Sequence, residues 1–268
     1  MLRAWRIVGA ALVMFGYFVL LAPIGYAIFA LWAALPNPNP VRRARRLQTV
    51  MTLAFASMHA LLRWLRLIHF DPGEVEGSIP EGPCVLVANH PTLVDISAMI
   101  ACERNLVFPV KASLFRAFWA RPMLQAAGQF EASERDLFGI GGVVESAMER
   151  LSEGHRVIIF PEGTRSPAKG LHPFGRMAFE IACRQNVPIV PLVITCEPRW
   201  LTRENSFFNP PAPLPVMRIR VLDPVDPESE GSSSRTLRDI ISAQIRTELG
   251  MPASGGAPEG AATGTGSI

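Results

Sequence analysis

The feature that most constrains this chain is a stretch of 35 residues, 7–41, that contains no Asp, Glu, Lys or Arg. As one helix, residues 7–35 would be roughly 44 Å long, against a hydrocarbon core of about 30 Å. The stretch is also longer than the apolar part of a cleavable signal peptide, which spans roughly 7–15 residues. It therefore predicts a membrane-embedded segment, either a crossing or a shallow hairpin bent near Pro23 and Gly25.

Charge is divided unevenly along the chain, although the net charge is only +3. Eight arginines and no acidic residue precede Asp71, whereas the rest of the chain carries 18 basic and 23 acidic residues. Arginines beside an apolar segment are attracted to anionic lipid head groups by about 1 kcal/mol each. Membrane lipids are therefore predicted partners. A nucleic-acid role would need the basic residues on the soluble domain, so we predict no nucleic-acid partner.

Residues 51–70 are apolar apart from a polar stripe. Thr52, His59, Arg63 and Arg66 follow one another at intervals of seven, four and three, which places them on one face of a helix. This pattern favours a helix lying in the membrane interface with its arginines toward the head groups. A helix packed on the soluble core is the alternative.

Three regions follow from this pattern: membrane-anchoring helices at 1–70, an α/β domain at 71–250 and a disordered tail at 251–268. The tail is built from Gly, Ala, Ser, Thr and Pro with a single charge. The central region alternates β-branched runs with helical patterns, which predicts a largely parallel sheet covered by helices. We expect strands at Cys84–Ala88, Leu106–Val110, Val157–Phe160, Ile189–Ile194 and Val216–Val221, and helices near 92–101, 138–152, 176–185 and 235–248.

The four cysteines form no C-x-x-C motif and have no metal-ligand spacing with the five histidines. Cys84 and Cys196 lie in apolar runs and are predicted to be small buried hydrophobic residues. The sequence thus predicts no metal site, and a soluble part that faces a reducing cytosol.

A first polar motif, Asn89-His90-Pro91-Thr92 and then Asp95, directly follows the predicted strand Cys84–Ala88. An imidazole at such a corner can act as a general base, and a carboxylate on its other nitrogen would hold its tautomer. A plain capping arrangement is the alternative interpretation.

A second motif, Phe160-Pro161-Glu162-Gly163-Thr164-Arg165-Ser166, directly follows the predicted strand Val157–Phe160. A carboxylate, a flexible glycine, a hydroxyl and an arginine at the end of a strand can bind a polyol or an anion, and Arg suits phosphate because it binds in a bidentate way. A surface turn is again the alternative.

Together the two motifs resemble those of the 1-acylglycerol-3-phosphate acyltransferase family, N-H-x-x-x-x-D and F-P-E-G-T-R-S. The run Val187–Leu192 is similar to the last block of that family. The resemblance covers about residues 75–225. It implies an α/β fold, a mixed sheet flanked by helices with a membrane-embedded N-terminal segment. It also implies a membrane-bound phospholipid-biosynthesis enzyme that transfers a fatty acyl group to a lysophosphatidic-acid-like acceptor, with its domain on the cytoplasmic face.

The resemblance implies that His90 is the base and Asp95 its partner, and that the segment Glu162, Gly163, Thr164 and Arg165 holds the acceptor. Lys111, Arg135 and Arg176 match family positions more weakly and are further candidates for substrate binding. Arg135 is out of the register that family members acting on acylglycerol phosphate use. A lysine common in the third block is Gly175 here.

The expected donor is acyl-CoA or acyl carrier protein, and no cofactor is required. Backbone N–H groups near Gly163 are candidate donors to the oxyanion of the tetrahedral intermediate. Two alternatives stay open, because Arg135 and Gly175 weaken the case for a phosphate on the acceptor. One is an acyltransferase for a non-phosphorylated lipid or natural product, including an amine, and the other is a catalytically silent lipid-binding membrane protein.

Overall fold

The computed structural model describes residues 2–13, 15–16, 24–25, 27, 31, 39–73, 75, 77–118, 120–132, 137–203, 210–228 and 233–252. Most of the predicted membrane-embedded segment, its bend at Pro23 and nearly all of the predicted tail lie outside these ranges. Among the helices within them, none combines the length and the apolar character needed to cross a membrane.

Eight strands are present in the described part of the chain. They are β1 (His69–Asp71), β2 (Val85–Ala88), β3 (Leu106–Val107), β4 (Pro109–Lys111), β5 (Phe130–Ala132), β6 (Arg156–Ile159), β7 (Ile189–Glu197) and β8 (Val216–Val221). Six of them form one sheet in the order β1-β8-β7-β2-β6-β3, and β4 pairs with β5 in a small parallel sheet. Strands β7, β2, β6 and β3 are parallel, whereas β8 runs against β7 and carries β1 beside it. The expected mixed α/β fold is therefore confirmed.

The predicted strand at Leu106–Val110 is instead two strands, β3 and β4, in different sheets. At the break, the N–H of Phe108 donates to Oε1 of Gln129 at 2.8 Å, and Nε2 of Gln129 donates to the carbonyl of Leu106 at 3.3 Å. The Gln129 side chain thus bonds to backbone groups that would pair with a neighbouring strand if this strand were continuous.

The helices of the described residues cover both faces of the main sheet. They are α1 (Leu2–Val13), α2 (Pro40–Trp64), α3 (Asp95–Cys102), α4 (Ala112–Phe115), α5 (Arg121–Ala126), α6 (Leu137–Ser152), α7 (Met177–Gln185) and α8 (Ser234–Glu248). Side chains alternate along β2. Leu86 and Ala88 pack in a core with α1, α2 and α3, and Val85 and Val87 pack in a second core with α6, α7 and α8.

Helix α2 is part of the first core. Of its polar stripe, Thr52 and His59 are buried, and Nε2 of His59 lies 3.1 Å from Oγ of Ser97 on α3. For these two residues the alternative interpretation, a helix packed on the soluble core, fits the structure. Arg63 and Arg66 are exposed. The anchoring role of residues 1–70 stays a prediction.

Candidate active site

The two polar motifs leave neighbouring strands of the sheet at the same edge. Strands β2 and β6 are parallel and in register, with Val87 opposite Ile159. The carboxyl ends of adjacent parallel strands are where ligand sites of α/β sheets collect. His90 and Glu162 both follow these ends and come into contact, because the backbone N–H of His90 lies 3.2 Å from Oε1 of Glu162.

Asn89 fixes the point at which the chain leaves β2. Its Oδ1 accepts from the N–H of Ile194 on β7 at 2.7 Å, and its Nδ2 donates to the carbonyl of the same residue at 2.9 Å. The side chain is buried. Sequence reasoning gave Asn89 no role, although an amide that directly follows a buried strand was an available signal.

His90 and Asp95 form a hydrogen-bonded pair, with Nδ1 of His90 2.7 Å from Oδ2 of Asp95. The His90 side chain is 22% exposed, whereas that of Asp95 has no exposed surface. The ring of Phe160 stacks on the imidazole with centroids 4.4 Å apart. With Nδ1 directed at Asp95, Nε2 is the imidazole nitrogen left for other chemistry.

The Asp95 carboxylate is held by the turn that precedes it. Thr92 donates to it twice, from its backbone N–H to Oδ2 at 2.8 Å and from its hydroxyl to Oδ1. Burial raises the pKa of Asp95 above the usual aspartate value, and the hydrogen bonds from His90 and Thr92 oppose that shift. The carboxylate is consequently fixed in position without contact with solvent.

Glu162 is turned inward and bonded to the chain itself. Its Oε1 accepts from the N–H of His90 and, at 2.5 Å, from the Ser166 hydroxyl, and its Oε2 accepts from the N–H of His172 at 2.8 Å. The N–H of Ser166 in turn donates to the carbonyl of His90 at 2.7 Å. This arrangement favours a positioning role for Glu162, and sequence reasoning assigned none to Ser166.

Two arginines, one in the second motif and one outside it, link this loop to the segment around residues 199–202. Nη1 of Arg165 donates to the carbonyls of Leu201 at 3.1 Å and Thr202 at 2.8 Å. Arg199, which sequence reasoning missed, donates to the carbonyls of Ser166, Pro167 and Ala168. The guanidinium of Arg165 therefore has part of its donor set committed to the protein.

The tip of this loop is open. Gly163 and Thr164 are exposed, and Gly163 has a φ of +68°, a conformation that favours glycine. The N–H of Gly163 donates to the carbonyl of Phe160 at 3.1 Å, so this group is already used within the turn. The loop thus presents Thr164 and the half-buried Arg165 next to the His90 segment.

The other candidates come from other elements of the fold. Lys111 ends β4 of the small sheet and Arg176 directly precedes α7, and both are exposed. Arg135 is outside the described residues. At Gly175, whose N–H donates to the carbonyl of Pro161, an added Cβ would lie 3.4 Å from that oxygen. That distance is an ordinary contact, so the backbone leaves room for a Cβ at this position.

The four cysteines form no disulfide, and Cys84 and Cys196 are buried as predicted. Burial raises the pKa of Cys84 to about 12 and that of Cys196 to about 11, which makes both poor nucleophiles. Nowhere in the described ranges do three His, Cys, Asp or Glu side chains cluster as metal ligands would. A base on an oriented imidazole remains as the chemistry that the described site offers.

The family model named Acyltransferase matches residues 73–195, which include both motifs. The 1-acyl-sn-glycerol-3-phosphate acyltransferase alpha of Mus musculus is 29% identical over 206 residues, covering 76% of this chain and 70% of that protein. A chloroplastic 1-acyl-sn-glycerol-3-phosphate acyltransferase of Brassica napus is 33% identical over 115 residues, covering 42% of this chain and 33% of that protein. The crystal structure of the 1-acyl-sn-glycerophosphate acyltransferase PlsC from Thermotoga maritima shares the fold, with a TM-score of 0.74, 19% identity and coverage of 93% of this chain and 97% of that one.

Proposed function

We propose that the chain is an O-acyltransferase with a 1-acylglycerol-3-phosphate-like acceptor, because the Acyltransferase family model matches residues 73–195, which carry both motifs. The observation that carries the proposal is the oriented His90–Asp95 pair beside the loop of Glu162 and Arg165. The relatives' names support the acceptor class, and acyl-CoA or acyl carrier protein is the proposed donor.

In the proposed reaction, Nδ1–H of His90 donates to Asp95 and Nε2 takes the proton of the acceptor hydroxyl. The acceptor oxygen forms its bond to the thioester carbonyl carbon, and the C–S bond of the resulting tetrahedral intermediate breaks. The thiolate leaves and takes up the proton from the imidazolium. Asp95 stabilises that imidazolium and keeps Nε2 directed outward.

The acceptor would lie against the open tip of the second loop, at Thr164 and Arg165. A guanidinium can bind a phosphate with two parallel hydrogen bonds. Arg165 is the arginine of the second motif, the same motif whose Glu162 contacts the base, His90. Glu162 acts in this scheme by holding the backbone of His90 and not by binding the acceptor. Lys111 and Arg176 would serve as additional cations if the substrate reaches them.

A product assay tests the proposal directly. The full chain in detergent is incubated with labelled acyl-CoA or acyl carrier protein and with lysophosphatidic acid, monoacylglycerol, lysophosphatidylcholine or a long-chain amine. We expect labelled phosphatidic acid as the main product. Equal labelling of monoacylglycerol would favour a non-phosphorylated acceptor, and no labelled product with any acceptor would favour a silent lipid-binding protein.

Arg165→Lys tests the phosphate contact. We expect the KM for lysophosphatidic acid to rise about tenfold, because an ammonium cannot reproduce the bidentate geometry, while the KM of the donor stays within about twofold. Arg199→Lys is the matched control, because Arg199 also donates to backbone carbonyls around this loop. If both variants raise the acceptor KM equally, Arg165 acts only through loop structure.

We further propose that the enzyme is bound to a membrane, with the acyltransferase domain on its cytoplasmic face. The charge-free stretch at 7–41 and the exposed arginines Arg42, Arg45, Arg46, Arg63 and Arg66 support the binding. The four thiols without disulfides are consistent with a reducing compartment.

A further inference from the structure

A cavity of about 540 Å³ lies beside α2 and α3, apart from the His90 site. Its walls include Ala56 and Ala60 of α2, Phe70 of β1 and Ala101 and Cys102 at the end of α3. Asp95 starts the same helix, so Ala101 lies roughly 9 Å further along its axis. The cavity is therefore separate from the catalytic pair, and no step of the proposed reaction uses it.

The charged groups of this cavity are all positive. Arg63 and Arg104 line it, both are exposed, and neither forms an ion pair with another described residue. Among the residues that the structure describes, the lining includes no Asp or Glu. Two guanidinium groups without a carboxylate partner favour an anion, and phosphate is the anion that their forked donors fit best.

Two buried polar atoms at the cavity have no hydrogen-bond partner among the described residues. They are Oγ1 of Thr52 and Nδ1 of His59, and both residues line the cavity and are at least 94% buried. The Ser97 hydroxyl donates to the carbonyl of Val94 at 2.7 Å, so Nε2 of His59 donates to Ser97 and Nδ1 keeps its lone pair. Burial lowers the pKa of His59 to about 4, which keeps the ring neutral. Both atoms are closed off from solvent and so lie behind the wall of the cavity.

The cavity opens beside a large exposed aromatic residue. Trp64 lines it and is 72% exposed. Exposed tryptophan beside arginine is typical of a protein surface at the boundary between lipid and water. The same opening thus joins an exposed tryptophan and two cations.

We propose that this cavity binds the head group of an anionic glycerophospholipid of the membrane, with its phosphate at Arg63 and Arg104. Phosphatidylglycerol, which carries a net negative charge, is a lipid of this class. The acyl chains of the lipid leave along Trp64. The site is independent of the acceptor site, so it goes beyond the proposed reaction.

The test uses the full chain in detergent and dihexanoyl-phosphatidylglycerol below its micellar concentration, with binding measured as a shift of the thermal unfolding midpoint. A ligand that binds only the folded chain raises this midpoint as its concentration exceeds the dissociation constant. We expect Arg63→Ala/Arg104→Ala to raise the dissociation constant at least tenfold. Arg42→Ala/Arg46→Ala removes the same charge from exposed positions on α2 and should change it by less than twofold. Acylation of lysophosphatidic acid should be unchanged in both.

One further variant and two comparison ligands show what binds in the cavity. Ala60→Trp fills the cavity from an exposed position and should also abolish the shift, which covers the case of a poorly folded double variant. Dihexanoyl-phosphatidylcholine and inorganic phosphate should each give less than a third of the shift. Three results would each overturn the proposal. They are a shift with phosphatidylcholine equal to that with phosphatidylglycerol, an equal shift with inorganic phosphate, and equal affinity in the cavity variants and in the Arg42/Arg46 control. Each result counts whether or not the acyltransferase assay succeeds.

Discussion

His90→Ala is expected to lower kcat by about 10²–10⁴-fold, the usual contribution of a general base. The described site offers no other imidazole that is paired with a buried carboxylate, so nothing nearby can take over proton transfer. The fold should survive, because the side chain is partly exposed and Asp95 keeps both hydrogen bonds from Thr92. Initial rates of acyl transfer and a thermal unfolding curve measure the two effects on the same preparation.

His172→Ala is the matched control for this variant. His172 is half-buried and meets the same loop, but only its backbone N–H contacts Glu162. Its loss should leave kcat within about threefold of the parent value. Near-normal turnover of purified His90→Ala would rule out the base mechanism, even if the chain proved to be an acyltransferase by another route.

Asp95→Asn should reduce kcat by a similar factor, about 10²–10⁴-fold, through the tautomer of His90. The carboxylate accepts three hydrogen bonds, from Nδ1 of His90 and from the N–H and hydroxyl of Thr92. An amide has one acceptor oxygen and no negative charge. If its NH₂ group takes the place of Oδ2, it faces the N–H of Thr92 and donates to Nδ1, which places the imidazole proton on Nε2, where the base could not accept another. If its oxygen takes that place, the tautomer is kept and only the charge that stabilises the imidazolium is lost.

Thr92→Val separates this effect from a general disturbance of the turn. It removes the hydroxyl contact to Oδ1 and leaves both contacts to Oδ2, so we expect a loss of less than about tenfold. Nitrogen NMR of labelled histidine can report the tautomer of His90 in the parent and in Asp95→Asn. An unchanged tautomer in a variant with lost activity would contradict the positioning role of Asp95.

The location of the site was predictable because it rests on local patterns. β2 and β6 are short runs of buried β-branched residues, and a polar motif follows each of them directly. Once two such strands are parallel neighbours, their carboxyl ends must meet. The pairing of His90 with Asp95 needed only a turn of five residues and so was visible in the spacing.

The directions of the second-motif side chains could not be predicted. Glu162 and Arg165 are three residues apart, yet the first bonds to the backbone of His90 and the second to Leu201 and Thr202, which come 36 and 37 residues later. Such partners depend on how a distant loop folds back. The small β1 and β5 strands escaped prediction for a related reason, because three residues carry too little periodicity to be recognised.

The reciprocal bonds between His90 and the second motif have a consequence for how this site can change over evolutionary time. Glu162 and Ser166 form hydrogen bonds with the backbone of His90. A substitution in one motif therefore alters which substitutions the other motif can tolerate. Effects of paired changes should then be non-additive, as for residues that share one hydrogen-bond network. A drift toward a new acceptor is thus expected to begin at exposed Thr164, the position in the loop that leaves this mutual constraint untouched.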